Sequence, residues 1–235
     1  MKRVGTVLAI LIGGAVVGFL VLLQLTGNED APGRAAIARV KLPAPRRDGN
    51  TSVEQALLQR RSVREYRNRP TALADVAQLL WAAQGVTEPA SGFRTAPSAG
   101  ALYPLEVYAV VGNVEGIQPG VYKYRPLGHE LERVRSGDVR AELSAAALEQ
   151  TWIGQGAIVV VFCAVYERTT AKYGDRGIQY VHIEVGHAAQ NLCLQAVSLN
   201  LGAGVVGAFH DRQVKRILNA RANEEPLYVV PVGVK

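Results

Sequence analysis

One long helical pattern in the body of the chain constrains the fold most strongly. The segment GIQYVHIEVGHAAQNLCLQAVSLNLG predicts a helix from about Ile178 that is stopped at Gly202. Its apolar residues lie around much of the helix circumference: Val181, Val185, Ala188, Ala189, Leu192 and Leu194. A helix that is apolar all round must be covered on both sides. We therefore expect a core helix that also packs against a second copy of the chain.

Short strand patterns lie before and after this helix. We predict strands over LEVYAVVG, GVYKYR, HELERV, GAIVVVFCAVY, VVGAF and PLYVVPVGV. Shorter helices are predicted over TSVEQALLQRR, where Thr51 and Glu54 fit a capping box, and over TALADVAQLLWAAQG, GDVRAELSAAALEQ and DRQVKRILN. Strands and helices mostly do not alternate, so the pattern favours an α+β fold over a doubly wound parallel sheet.

The N-terminal residues 1–26 predict a membrane anchor. The run Val4–Leu25 carries no charge, and as a helix it would span about 33 Å, enough for a bilayer core of about 30 Å. A cleaved signal peptide is the alternative, but its apolar region is usually shorter and is followed at once by a small-residue cleavage site. We expect one uncleaved transmembrane helix and a membrane location.

Residues 27–50 read as a flexible basic linker, since they hold Pro, Gly and charge without apolar periodicity. Much of the formal net charge of +6 lies here, in a segment without aromatic residues, so nucleic-acid binding has little support. Lys2 and Arg3 favour a cytoplasmic N-terminus, whereas the basic linker opposes it. We expect the body, residues 51–235, on the extracytoplasmic side, with the orientation left open.

Three tempting motifs in the body carry little functional information. Cys163 and Cys193 lie in apolar patterns that predict buried free thiols. His182 and His187 are five residues apart, so on a helix they diverge by about 140° and do not suit a metal site. The Gly202–Gly207 segment matches G-x-G-x-x-G, but it follows a helix and runs into a predicted strand, the reverse of the dinucleotide-binding arrangement.

Two other segments favour a ligand site. RRSVREY places arginines and a serine after the first helix, and such groups match phosphate oxygens, although a solvated charge cluster would look the same. PSAGALYPLE puts five small residues, from Pro97 to Ala101, just ahead of a strand. Small residues let the backbone approach something flat or bulky.

Taken together and in this order, RRSVREY, PSAGALYPLE, the long helix with GAGVVGAF, and EPLYVVPVG resemble the FMN-dependent nitroreductase family. The likeness is nearest to its SagB-type branch, which resembles thiazole/oxazole dehydrogenases, and it covers about residues 52–235. It implies a nitroreductase-like fold with a central, mostly antiparallel sheet flanked by helices. It also implies a homodimer that holds two FMN molecules at the interface formed by Val181–Leu199.

The resemblance assigns cofactor-binding residues in three groups. It implies that the phosphate and ribityl end of FMN contacts Arg60, Arg61, Ser62, Arg64 and Lys235. It implies that the flavin ring lies against Pro97, Ser98, Ala99, Gly100, Ala101 and Leu102. It implies that the ring is approached from its other side by Gly204, Val205, Val206 and Gly207.

The activity implied is ping-pong hydride transfer, from a reduced donor such as NADH or NADPH through the flavin to a nitroaromatic, a quinone or a similar small acceptor. No side chain is needed as a nucleophile. Azoline-forming relatives use a Lys–Tyr pair, and Lys172-Tyr173 is the better placed of two such dipeptides here. Two alternatives stay open: a membrane-anchored flavin-binding module without turnover, and an azoline oxidase or dehalogenase on the same fold.

Overall fold

A computed structural model describes residues 38–235. The predicted anchor, residues 1–26, lies outside the described residues. No helix between residues 38 and 235 has the length and apolar character needed to cross a membrane.

A seven-stranded antiparallel sheet forms the centre of the fold, in the order β1-β6-β5-β4-β7-β9-β8. Its strands are β1 (Arg39–Lys41), β4 (Leu105–Val111), β5 (Gly120–Arg125), β6 (Glu130–Ser136), β7 (Ile158–Ala164), β8 (Leu201–Ala203) and β9 (Glu225–Val234). A separate hairpin contains β2 (Val86–Glu88) and β3 (Phe93–Arg94). The α+β class and the antiparallel sheet agree with the sequence prediction.

Between residues 38 and 235, seven α-helices accompany the sheet. They are α1 (Val53–Gln59), α2 (Leu73–Gln84), α3 (Arg140–Ala146), α4 (Trp152–Gln155), α5 (Glu167–Tyr173), α6 (Arg176–Ser198) and α7 (Asp211–Ile217). One core cluster contains residues of α2 and α6 against one sheet face, and a second contains residues of α3, α4 and α7 against the other. Strand β7, IVVVFCA, is buried along its whole length because both of its faces are covered.

Helix α6 is the predicted core helix, but its apolar residues have a different role from the one expected. Val181, Val185, Ala188, Ala189 and Leu192 are all buried within a single chain. These residues therefore do not themselves require a second copy. The large apolar side chains that α6 leaves exposed are Ile178 and Ile183.

Three other local predictions differ from the structure. VVGAF is not a strand: Val206 makes one isolated bridge with Val229, and the strand β8 lies just before it. Ser52 caps α1 in place of Thr51, because its hydroxyl accepts the Gln55 N–H at 3.2 Å. The predicted linker, residues 27–50, includes strand β1, which pairs with β6 and is followed by the buried Leu42.

Candidate functional site

Two of the cavities that border α6 each contain residues of a segment singled out from the sequence. We call the first the loop cavity. It has a volume of about 280 Å³ and is lined by Pro97, Ser98, Ala99, Tyr180, Ile183, Glu184 and His187. We call the second the arginine cavity. It has a volume of about 120 Å³ and is lined by Arg60, Ser62, Gly186, Ala189, Gln190, Cys193, Ala203, Val205 and Tyr228.

The small-residue segment forms a tight, strained loop ahead of β4. Gly100, Ala101 and Tyr103 have positive φ angles of 61°, 54° and 46°. The Ser98 hydroxyl accepts the Tyr103 N–H at 2.9 Å, and the Ser98 carbonyl accepts the Ala101 N–H at 3.0 Å. Left-handed backbone at non-glycine residues costs energy and clusters at functional sites.

Helix α5 brings the predicted Lys–Tyr pair to this loop. A Cβ atom added at Gly100 would lie 2.8 Å from the Tyr173 hydroxyl and 3.1 Å from Lys172 Nζ. Tyr173 in turn packs edge-on against Tyr180 of the loop cavity, with ring centroids 5.2 Å apart. The small-residue segment and the Lys172-Tyr173 pair are far apart in sequence, and the fold therefore brings them together.

Some side chains of the arginine-rich segment line the arginine cavity, and others make local contacts within the fold. Arg60 and Ser62 line the arginine cavity. Arg61 donates instead to the carbonyls of Leu58 and Arg60, at 2.9 and 2.7 Å, and so holds the end of α1. The Arg64 guanidinium stacks 5.7 Å from the ring centre of Trp152. Arg60 and Ser62 therefore line the arginine cavity, whereas Arg61 and Arg64 contact other groups of the protein.

The residues of the glycine-rich segment also lie in different environments. Val205 lines the arginine cavity. Gly204 is packed inside the protein, since an added Cβ would lie 2.6 Å from the Val63 carbonyl oxygen and 2.8 Å from Trp152. Val206 exchanges two backbone hydrogen bonds with Val229. Gly207 is exposed.

Three other residues that were predicted to bind the cofactor do not line either of these two cavities. Leu102 lines a different cavity, together with Arg94 and Tyr103. Ala101 is exposed within the loop itself. Lys235 is exposed after β9, beside a segment in which the Val234 carbonyl accepts the Arg67 N–H at 2.8 Å.

Sequence reasoning missed several cavity residues on α6, of which Glu184 is the most unusual. Its side chain is buried, with 2% of the residue exposed, although it is an acid that lines the loop cavity. Burial raises the pKa of Glu184 to about 7, while the Ser98 hydroxyl, Gln84 and Arg94 act in the opposite direction. The signal in the sequence was a single acid between apolar residues, VHIEVGH.

The residues present fit a flavin mononucleotide. The arginine cavity contains a guanidinium and a hydroxyl but no carboxylate, which suits a phosphate group. A Cβ at Gly186, on the exposed side of α6, would meet nothing within 4 Å, so the helix surface there is open to a ligand. The loop cavity offers small and apolar side chains for a flat ring.

Fold and cavities together define a class: an α+β domain with an antiparallel sheet and a candidate cofactor site along one core helix. The sequence signature described as "Nitroreductase family" matches residues 57–234. The chain belongs to the nitroreductase family, as the sequence motifs predicted.

Individual relatives agree with this assignment. A nitroreductase-family protein of Methanocaldococcus jannaschii is 50% identical over 183 residues, covering 78% of this chain and 91% of that protein. The microcin B17-processing protein McbC of Escherichia coli is 32% identical over 155 residues, covering 63% of this chain and 56% of that protein. The likeness to McbC agrees with the predicted SagB-type branch.

The fold is similar to solved structures as well. The crystal structure of a nitroreductase-family protein from Ralstonia eutropha matches with a TM-score of 0.74 and 30% identity. The match covers 83% of this chain and 89% of that one.

Proposed function

We propose that this protein is an FMN-dependent oxidoreductase that passes hydride from a reduced donor to a small organic acceptor. The observation that carries the proposal is the meeting of two separately predicted flavin segments on one helix. Arg60 and Ser62 line one cavity on α6, and Pro97, Ser98 and Ala99 line the other. Membership of the nitroreductase family supports the same reading.

In this proposal the chain binds and orients the cofactor. Arg60 and Ser62 hold the phosphate by charge-assisted hydrogen bonds. Pro97, Ser98 and Ala99 provide the surface for the ring, and the backbone of their loop is preorganised by the Ser98 hydrogen bonds. Bound FMN supplies the hydride chemistry, for which no nucleophilic side chain is required.

A second candidate, azoline oxidation on a processed peptide, is favoured by one specific observation. Lys172 Nζ and the Tyr173 hydroxyl lie beside Gly100, at the loop proposed to hold the ring. The likeness to a microcin B17-processing protein points in the same direction. The pair could then contact a substrate seated on that side of the loop.

We further propose NADH or NADPH as the donor, a homodimer as the functional unit and a membrane anchor in residues 1–26, with the body on the extracytoplasmic side. The homodimer is supported by exposed apolar side chains on α1 and α6, including Leu58 and Ile183. Protease access to the Arg46-Arg47 bond in intact cells tests the orientation. Cleavage in intact cells supports this orientation, and cleavage that occurs only after the cells are lysed contradicts it.

Turnover separates the candidates. The FMN-loaded chain is assayed with NADH and NADPH against a quinone and a nitroaromatic, and in parallel with an azoline-containing peptide. The oxidoreductase proposal expects donor oxidation that depends on the quinone or nitroaromatic. Flavin binding without turnover of any acceptor would indicate a binding module instead.

The double variant Lys172→Ala, Tyr173→Phe distinguishes the two enzymatic candidates. Azoline oxidation that is lost in this variant while quinone reduction persists would favour the second candidate. Absence of azoline oxidation in the unmodified chain would remove it.

A further inference from the structure

A buried carboxylate lies behind the loop cavity, and the proposed function leaves it without a role. Glu184 is 2% exposed on a helix face shared with Val181, Val185 and Ala188, all of which are core residues. It nevertheless lines the loop cavity. Burial of a carboxylate is costly unless it is paired or hydrogen-bonded, so its partners indicate what the position does.

Those partners are polar side chains that link α6 to the loop. Gln84 Nε2 donates to Glu184 Oε1 at 3.4 Å, and Gln84 Oε1 accepts from Arg94 Nη1 at 3.0 Å. Ser98 lines the loop cavity together with Glu184, and its hydroxyl lowers the pKa of that carboxyl group. Among residues 38–235, no lysine or arginine forms a salt bridge with Glu184. The carboxylate therefore accepts a hydrogen bond from Gln84 and is stabilised by the charge of Arg94 without a direct salt bridge.

Ser98 connects this carboxylate to the loop's shape. Its oxygen accepts the Tyr103 N–H, which closes the strained turn containing Gly100 and Ala101. An ionised carboxylate can only accept hydrogen bonds. It therefore orients the Ser98 O–H toward itself and leaves the oxygen lone pairs free for the Tyr103 N–H. A protonated Glu184 can donate to the Ser98 oxygen and compete with that bond.

We propose that Glu184 is a positioning residue: as a carboxylate it fixes the Ser98 hydroxyl and thereby the shape of loop 98–103, against which the flavin ring lies. The inference rests on the proposed function of this site. Neutral Glu184 leaves the loop less well defined, so the ring binds more weakly. The protein's affinity for flavin is then coupled to the ionisation of one buried acid.

The direction of the pH dependence follows from the ionisation. Because burial raises the pKa of Glu184 to about 7, the carboxylate form is present above that pH and is lost as the pH falls through it. Other charged or titratable groups face the same region: Arg94 from β3, Tyr180 and His187 from α6, and Lys172 and Tyr173 from α5. Of these, His187 also lines the loop cavity and must be tested separately.

Riboflavin is the decisive probe, because it lacks the phosphate whose second ionisation lies near pH 6. Its affinity for the flavin-free full chain is measured by fluorescence quenching, alongside FMN, from about pH 5.5 to about pH 8.5. We expect riboflavin to bind about tenfold more weakly at the acid end, the scale of one charge-assisted hydrogen bond. A flat profile overturns the inference.

Three variants test which side chain causes the pH dependence of riboflavin affinity. Glu184→Gln keeps the size of the side chain but cannot ionise, so its profile should be flat. Ser98→Ala keeps Glu184 but removes the hydroxyl that connects it to the loop, so the affinity profile of this variant should also be flat. His187→Gln should retain the inflection, whatever its absolute affinity. An inflection that persists in Glu184→Gln, or disappears in His187→Gln, overturns the inference.

Two further outcomes are distinguishable. If Glu184→Gln does not fold, the decision passes to Ser98→Ala, where a retained inflection overturns the inference and a flat profile supports it. If neither riboflavin nor FMN binds at any pH, the proposed function itself is wrong. Binding with no Glu184-dependent profile leaves the proposed function standing and removes only the role of Glu184.

Discussion

At the scale of single residues, Gly100 is the position where the loop tolerates least change. Its φ of 61° is a conformation that favours glycine, and an added Cβ would lie 2.8 Å from the Tyr173 hydroxyl. We expect Gly100→Val to lower FMN affinity at least about tenfold, because backbone strain of about 1–3 kcal/mol must be relieved by moving the loop. Fluorescence quenching measures the affinity.

Gly116→Val is the matched control for that substitution. Gly116 has a φ of +77° but nothing within 4 Å of an added Cβ, and it lies between β4 and β5 away from both cavities. It should cost a similar amount of stability, about 1–2 kcal/mol, without changing FMN affinity. Equal losses of FMN affinity in the two variants would show that the loop is not the ring surface.

Arg60 and Arg61 provide a second test of FMN binding. They are adjacent arginines, but Arg60 lines the arginine cavity and Arg61 contacts the end of α1. Arg60→Ala removes a proposed phosphate contact worth about 1.5–3 kcal/mol, so FMN affinity should fall about 10- to 150-fold while riboflavin affinity changes little. Arg61 donates to carbonyls at the end of α1, so Arg61→Ala should affect FMN much less. The reverse order, or an equal loss for riboflavin, would contradict the assignment of the phosphate end.

At the scale of secondary structure, a buried charge network joins strands β4 and β5, the residue before β9, and helix α5. Lys123 Nζ on β5 lies 2.5 Å from Glu224, which precedes β9, and 3.0 Å from Glu106 on β4. Glu106 also pairs with Arg168 on α5. Lys123 and Glu224 are 3% and 1% exposed, so neither charge can be left unpaired without a large cost.

We expect Lys123→Met to destabilise the protein by about 3–5 kcal/mol, since it removes the cation that pairs with the buried Glu224. The free energy of unfolding in urea measures this. Lys215→Met is the matched control: Lys215 pairs with Glu225 at 2.5 Å near the surface, and such pairs contribute about 0.2–1 kcal/mol. Comparable losses in both variants would mean that the buried network does not contribute as argued.

Elements with strong apolar patterns could be predicted from sequence, and weakly patterned ones could not. IVVVFCA and the long helix were recognised because each buries many apolar residues. Strand β1 has only three residues and depends on pairing with β6, so no local signal marks it. VVGAF is apolar like a strand, but only Val206 pairs, and the real strand is the preceding LGA.

Segments that line the two cavities could be predicted from the sequence, but the directions of their side chains could not. The order of the motifs identified Arg60, Ser62 and Pro97–Ala99 as candidate cofactor-binding residues. It could not show that Arg61 turns back onto α1 or that Arg64 stacks on Trp152, since local packing decides both. Glu184 was overlooked because an acid within a helix usually faces solvent.

At the scale of the whole molecule, exposed apolar side chains on α1 and α6 favour a homodimer. Leu58 is 74% exposed and Ile183 is 46% exposed. The wild-type chain should have the mass of two chains by light scattering, and Leu58→Asp or Ile183→Asp should shift it toward one, because a charge buried in an interface is costly. Leu127→Asp, at an 83% exposed position between β5 and β6, should leave the mass unchanged. A wild-type mass of one chain with FMN bound would contradict the proposed dimer.

The central claim is that the chain binds FMN as a redox cofactor. The most direct test is the visible absorbance spectrum of the purified chain, reconstituted with FMN, separated from free flavin by gel filtration, and then treated with NADH or NADPH without oxygen. The account predicts that FMN elutes with the protein at one molecule per chain and that its absorbance bleaches on reduction. Flavin that elutes entirely apart from the folded protein would contradict it.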